Sequence, residues 1–377
     1  MPDTTELPTE AHLLALASLP QMGPARLSAL VEAVSPAEAW HELCRGAVPG
    51  GGVRELLGAP GAAVVAAWAR RASELDVGEL WRHHLEAGVE VCGVSSPAYP
   101  EPFRGEEHPP PLVVLRGDRR VLDGPRVAVV GTRDCTRYGR DVAFELGRDL
   151  AAAGVRVVSG LALGIDGAAH TGALEARAAP PVAVVGSGLD VVYPRRNHSL
   201  WRAVADAGLL ISEHPLGTSP AAWHFPARNR LIAALADIVV VVESHARGGA
   251  LHTATEAAQR GRPVMAVPGS VRAHASEGTN RLFDEGAHVC LGAGDVLALL
   301  GLDTPARRRG EDPRPVPEPA DARVLEQIGW EPVALEQLVL RTGLELGSLV
   351  LALDRLEAAG WVARRAGWFE RVAHDGR

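Results

Sequence analysis

The stretch of this 377-residue chain best suited to hold a polyanion is WHFPARNR, Trp223–Arg230. It sets an aromatic ring beside a proline turn and two guanidinium groups. A base stacked on Phe225 would contribute on the order of 1–3 kcal/mol, while Arg228 and Arg230, with Asn229 between them, meet backbone phosphate. The competing reading makes Phe225 a core anchor for its own loop. Both arginines are expected at a helix start, where a cation opposes the helix dipole unless an anion sits there. Arg133 directly follows an apolar run, VAVVG, and either reaches a phosphate or pairs with Asp134 on the surface; phosphate is the expectation. Arg195 and Arg196 follow Tyr193-Pro194. A solvated pair is the ordinary state of such residues, but their place on a ligand edge favours backbone contact for at least one. Asp166 and His170 form an i, i+4 pair suited either to acid–base work or to a helix start with Asp as cap and His packed behind it. The structural role is the expectation. The remaining histidines show neither HExxH nor other metal-ligand spacing, so no metal is expected.

These residues need a frame. Six short β-branched runs, 127–131, 155–160, 182–186, 209–213, 237–243 and 263–269, each end in a small or polar residue and lead into a helical stretch. Near-continuous apolar runs joined by helical crossovers predict a parallel sheet buried on both faces. Ligands of such sheets bind beyond the carboxyl ends of the strands. Those ends carry Gly131, Thr132 and Arg133, Ser159 and Gly160, Gly186 and Gly188, and Arg247 and Gly248. A strand ending in Gly ahead of a helix is an anion site, because free backbone amides and the helix dipole point at the ligand. GxGxxG is missing and no acidic residue is placed to read a ribose, so a dinucleotide is not expected. All 38 basic residues are arginine, which removes a P-loop lysine and a Schiff-base lysine. No cofactor is expected.

The formal charge of −8 argues against a polyanion partner only until it is mapped. Residues 126–302 carry 17 arginines against 16 acids, a net of +1, and the rest of the chain holds −9. No segment is long and charge-free enough to span a bilayer, and the acidic, polar start is unlike a signal peptide. Four scattered cysteines without CxxC spacing read as reduced structural thiols of a cytoplasmic protein.

Residues 8–75 read as helical, with Gly23-Pro24 between two apolar-periodic helices in the manner of a helix-hairpin-helix. Ten arginines against 17 acids in residues 1–125 favour a packing module over a DNA-binding one. A helix over 76–87 and strands at 89–94 and 112–117 flank a proline-rich turn and extend the sheet, which completes a domain at 76–302. Residues 303–319 are rich in proline and charge and read as a flexible linker. Residues 320–377 read as a winged helix: helices over 320–328, 335–342 and 345–359, the third with Leu346, Leu349, Leu353 and Leu356 on one face, then a β-wing. That third helix offers Arg355 alone among acids, and acids outnumber arginines in the domain. Protein contact is therefore expected there rather than base reading, which disfavours a double-strand regulator.

The ordered series VAVVGTRDCTRYG, VVSGLALGIDGAAHTGALE, VAVVGSGLDVVYPRRN, LISEHPLGT, WHFPARNRLIAALA, GGALHTATEAAQRGRPVMAVPG and EGTNRLFDEGA resembles the DNA-processing protein A (DprA/Smf) family over roughly 99–302. Each motif alone is weak; seven in order are specific. The resemblance implies an α/β class with an extended Rossmann-like, mostly parallel sheet. It also implies single-stranded DNA binding without catalysis, a homodimer formed through the sheet domain, and loading of a RecA-type recombinase onto incoming DNA in natural transformation. Thr253 and Asn280, from the last two motifs, join the expected DNA-binding set. Leu163 stands where a basic residue is frequent, and Thr132 where serine is common. A second reading is an N-glycosidic hydrolase of the nucleoside-monophosphate phosphoribohydrolase type. Gly248-Gly249 and Thr253 to Glu256 resemble its GGxGTxxE motif with one extra residue, and Glu256 with Arg133 would serve as its carboxylate and phosphate ligand.

Overall fold

The computed structural model describes residues 7–48, 50–57, 61–302, 314–329, 332–365 and 367–372. The first eleven residues of the expected linker, 303–313, lie outside the described residues. The chain divides into two compact units, Met1–Thr304 and Pro305–Arg377.

The first unit opens with helices Thr9–Ala17, Pro24–Ala33, Pro36–Cys44, Gly51–Leu57, Gly61–Glu74 and Val77–Glu86. Their starts follow local chemistry. Pro24 occupies the first turn behind Gly23, Ser35 and Glu38 form a reciprocal capping box, and the Asp76 carboxylate accepts from Glu79 N. Nine strands follow: β1 (Glu90–Gly93), β2 (Leu112–Gly117), β3 (Arg126–Val130), β4 (Arg156–Ser159), β5 (Val182–Val184), β6 (Leu209–Ser212), β7 (Ile238–Val241), β8 (Val264–Ala266) and β9 (His288–Val289). The proline-rich turn between β1 and β2 contains a short helix, Glu101–Arg104.

The sheet order is β1-β2-β6-β5-β4-β3-β7-β8-β9. Strands β3 to β9 are parallel, whereas β2 runs antiparallel to β6 and β1 antiparallel to β2. All six apolar runs became strands, because each buries side chains on both faces under helical crossovers. From β3 the chain steps outward to β4, β5 and β6, then crosses back to lay β7 on the other side of β3, with Val127–Val130 paired to Ile238–Val241. The order reverses between β3 and β7, and a crevice opens at such a reversal.

One core joins the N-terminal helices to the sheet: Leu13, Leu14 and Trp68 pack in a cluster with Val91, Leu112, Val114 and Leu210. The boundary expected near residue 75 is thus a change of element type within a shared core. On the helical layer over β3 and β4, helices Arg137–Ala152 and Ile165–Ala176 cross at two glycines. A Cβ on Gly147 would stand 2.1 Å from Ala169 O, and one on Gly172 2.0 Å from Phe144 O. The four cysteines are unpaired. Burial pushes the thiols of Cys92 and Cys290 up to about 12, which leaves them inert.

The second unit is a winged helix. Helices Pro319–Gln327, Leu335–Thr342 and Leu346–Ala358 pack against a sheet ordered β10 (Val333–Ala334), β12 (Trp368–Arg371), β11 (Val362–Arg365). Its third helix buries Leu349, Ala352, Leu353 and Leu356. Leu346, expected on that face, is 57% exposed because it is the first residue of the helix, beyond the packed turns. Arg355 donates both Nε and Nη2 to the Asp321 carboxylate, so it serves the fold of this unit.

Candidate functional site

A cleft of about 720 Å³ lies where the strand order reverses, beyond the carboxyl ends of β3, β4 and β7. Its walls come from five segments. Gly131, Thr132 and Arg133 leave β3; Ala162 and Asp166 follow β4; Tyr193 follows β5. Pro220 to Asn229 bring the WHFPARNR stretch, and Gly248, Gly249 and Thr253 open the helix after β7.

The turn after β3 is built stiffly. Thr132 N donates to Glu243 O at 2.8 Å, and the buried Glu243 carboxylate accepts from Thr136 N at 2.9 Å and Thr136 Oγ1 at 2.5 Å. Thr136 in turn caps helix Arg137–Ala152 by accepting from Gly139 N at 3.0 Å. Gly164 stands against this turn at φ +79°, with its missing Cβ 2.3 Å from Thr132 O, so a side chain there meets both backbone strain and a carbonyl.

On that base Arg133 is exposed, with its guanidinium carbon 4.8 Å from the centre of the Phe225 ring. Tyr193 and Phe225 lie with ring centroids 5.3 Å apart, tilted by 31°. A cation and two aromatic rings therefore meet in one cleft, the combination that serves phosphate and base together. Opposite, helix Gly249–Gln259 starts without a side-chain cap, and its first residues Gly249 and Ala250 line the cleft. Uncapped first-turn amides with the positive end of the helix dipole favour an anion. Asn229 Nδ2 donates to Gly249 O at 3.3 Å and ties the two walls together.

Arg228 lines the cleft but is not free for phosphate. It is 6% exposed, and its Nη1 donates to Gly160 O at 3.0 Å and to Val184 O, gripping the ends of β4 and β5. Burial lowers its pKa to about 10, so it stays cationic at neutral pH beside Asp166. Burial raises the Asp166 carboxyl, against the pull of Arg228 and of Gly160 N, which donates to it at 3.1 Å. Gly164, not Asp166, occupies the cap position of that helix. His170 is fully buried with Nε2 3.2 Å from Val182 O, and burial pushes its pKa down to about 4. His170 therefore sits in the core, while Asp166 lines the cleft.

Arg230 is outside the cleft. It forms an ion pair with the buried Glu213 and donates to His108 O at 3.3 Å. Neither arginine sits at the helix start: helix His224–Leu235 places both in its interior. Ser159 is buried with its hydroxyl on Val129 O at 2.7 Å, below the cleft floor. Gly186 O lies 2.9 Å from His224 Nδ1, and Gly188 N donates to Thr218 O, so both brace the 212–224 loop. Asn280 clasps Gly269 through both backbone groups, at 3.2 and 3.1 Å, and fixes the loop after β8 instead of reaching the cleft. Arg195, Arg196 and Arg247 are exposed on the strand-end edge without lining the cleft. Glu256, the carboxylate of the hydrolase reading, is held by Arg260 Nη1 at 2.6 Å and lines no part of the cleft.

Two contributors escaped the sequence. Tyr193 stood in the same motif as Arg195 and Arg196, and an aromatic before an arginine pair was its signal. Glu243 was visible only as a carboxylate ending an otherwise apolar strand.

A family model for DNA recombination-mediator protein A matches residues 90–301, and one for the DprA winged helix domain matches residues 308–367. Protein Smf of Synechocystis is 33% identical over 325 residues, which is 77% of this chain and 81% of the relative. The X-ray structure of DNA processing protein A from Streptococcus pneumoniae matches with a TM-score of 0.64 at 30% identity, over 78% of this chain and 98% of that one. A Helicobacter pylori DNA processing protein A, studied for its single-stranded DNA binding mode, matches with a TM-score of 0.51 at 31% identity, over 56% of this chain and 95% of that one. With the sheet domain and the winged helix both matched in order, the chain belongs to the DNA recombination-mediator protein A (DprA/Smf) family.

Proposed function

We propose that this chain is a recombination mediator that holds single-stranded DNA in the cleft between β3 and β7 and presents it, as a dimer, to a RecA-type recombinase during natural transformation. The observation that carries the reading is the meeting of Arg133, Phe225 and Tyr193 opposite an uncapped helix start. Arg133 and the first amides of helix Gly249–Gln259 take phosphate, and the rings take a base. The single-strand binding described for the Helicobacter pylori relative supports the same ligand here. No helix among the described residues is long and apolar enough to cross a membrane. The role is one of binding: Glu256 is turned to Arg260, and the cleft carboxylate Asp166 is buried against Arg228, so neither is disposed to attack or protonate a glycosidic bond.

Competition decides the ligand. A labelled single strand bound to the full chain should be displaced by unlabelled single strand at far lower concentration than by duplex of equal length. Equal competition by duplex overturns the reading, and release of free base from a nucleoside monophosphate would restore the hydrolase.

A further inference from the structure

We propose that the indole of Trp223 is a second base-stacking platform, carrying the nucleotide next to the one held at Phe225. This rests on the reading that the cleft holds single-stranded DNA. Trp223 lies outside the cleft lining, but Ala221 and Ala222 before it and Phe225 and Pro226 after it all form the wall. Only His224 lies between it and Phe225, which puts the two Cα atoms about 7 Å apart at most. With Trp223 at the N-cap and Phe225 in the first turn, the rings point to different sides of the helix start, and a strand passing over that start meets them in turn.

The ring is both exposed and held, a combination unusual for a tryptophan that serves only the fold. Within the first unit Trp68, Trp201 and Trp40 are 0%, 2% and 6% exposed, whereas Trp223 is 51% exposed, comparable among the described residues only with Trp368 of the wing at 48%. Its ring stands at 83° to His224 with centroids 4.1 Å apart, and at 80° to His214 at 6.4 Å. Its outer edge faces the N-terminal hairpin, where Cη2 and Cζ3 lie 3.9 and 4.0 Å from where a Cβ on Gly23 would stand. His224 beside it and His214 across the loop hold the ring edge-on while half of it stays exposed. A fixed aromatic face loses little further entropy when a base covers it, and stacking accepts any base because each has a π-face. The occupant follows from continuity with the cleft: a strand leaving Phe225 along this loop meets the indole next.

Trp223 as a mere brace for the helical hairpin predicts something different, a loss of folding without a specific loss of binding. Fluorescence and affinity titrations of the full chain with oligothymidylates of increasing length separate the two, using wild type, Trp223→Phe, Trp223→Ala and Phe225→Ala. Tryptophan emission should be quenched on binding, with most of the quenching gone in Trp223→Phe, whose smaller ring keeps the fold and most of the affinity. Trp223→Ala should weaken the longer oligomers about tenfold, leave the shortest that binds unchanged, and keep the salt dependence of wild type. The platform is overturned if Trp223→Ala binds every length as wild type does, or loses binding only in proportion to its unfolded fraction. Phe225→Ala is the control on the cleft. It should weaken every length, and if it weakens none, the cleft reading fails independently of what Trp223 does.

Discussion

Arg133 and Arg228 show one residue type put to opposite uses a few ångströms of depth apart. Arg133 is exposed above the Phe225 ring, and Arg228 is buried on the carbonyls that end β4 and β5. Sequence alone places both near the ligand edge. It does not say which guanidinium meets solvent, because that depends on carbonyls contributed by distant strands. Arg133→Ala should weaken single-strand binding and reduce the salt slope by roughly 0.7 for the lost phosphate contact. Phe225→Ala should lower affinity by ~1–3 kcal/mol with the slope almost unchanged, since a stacked ring releases no counterion; salt-dependent titrations of both variants check this. Arg228→Ala should behave differently again. Its loss leaves the buried carbonyls of Gly160 and Val184 without their donor, at ~1–3 kcal/mol of stability for each acceptor left unsatisfied. Denaturant unfolding reads it, and an Arg228→Ala protein of wild-type stability that has lost DNA binding would show the residue to be a ligand contact.

At the scale of elements, the apolar runs located all six expected strands because burial on both faces leaves an unbroken hydrophobic signature. The two-residue strand β9 left none, since both of its residues are exposed. Helix positions were harder. Arg228 and Arg230 lie one to two turns inside helix His224–Leu235, whose start at His224 follows from the loop braced by Gly186, information absent from the local sequence. The helix over β4 carries a consequence for acid stability. His170 has a pKa of about 4 in the folded chain against an ordinary 6.5, because burial disfavours its charged form. An unfolded chain therefore takes up the proton first as pH falls. The stability tied to neutral His170 is present above pH 6.5 and is lost as pH drops toward about 4, amounting to ~3 kcal/mol. Melting temperatures followed from pH 7 to 4 should fall steeply for wild type and less steeply for His170→Gln; parallel curves would contradict the assignment.

At the scale of the whole molecule, the cleft belongs entirely to the unit Met1–Thr304, and the N-terminal helices of that unit share a core with one face of its sheet. A chain ending at residue 304 should keep most of its single-strand affinity in a direct titration. Removing residues 1–75 instead strips Leu13, Leu14 and Trp68 from the core they share with β1, β2 and β6, and should cost folding before it costs any contact with DNA. The winged helix, with Arg355 tied to Asp321, adds little to base reading by this account. The most direct test of the central claim is a photo-crosslink from single-stranded DNA carrying iodo-deoxyuridine to the full chain, mapped by mass spectrometry. Adducts should fall on Tyr193 and Phe225, and Arg133→Ala should diminish both. Adducts confined to the aromatics of the winged helix, Trp361 and Trp368, with the cleft peptides unmodified, would contradict it.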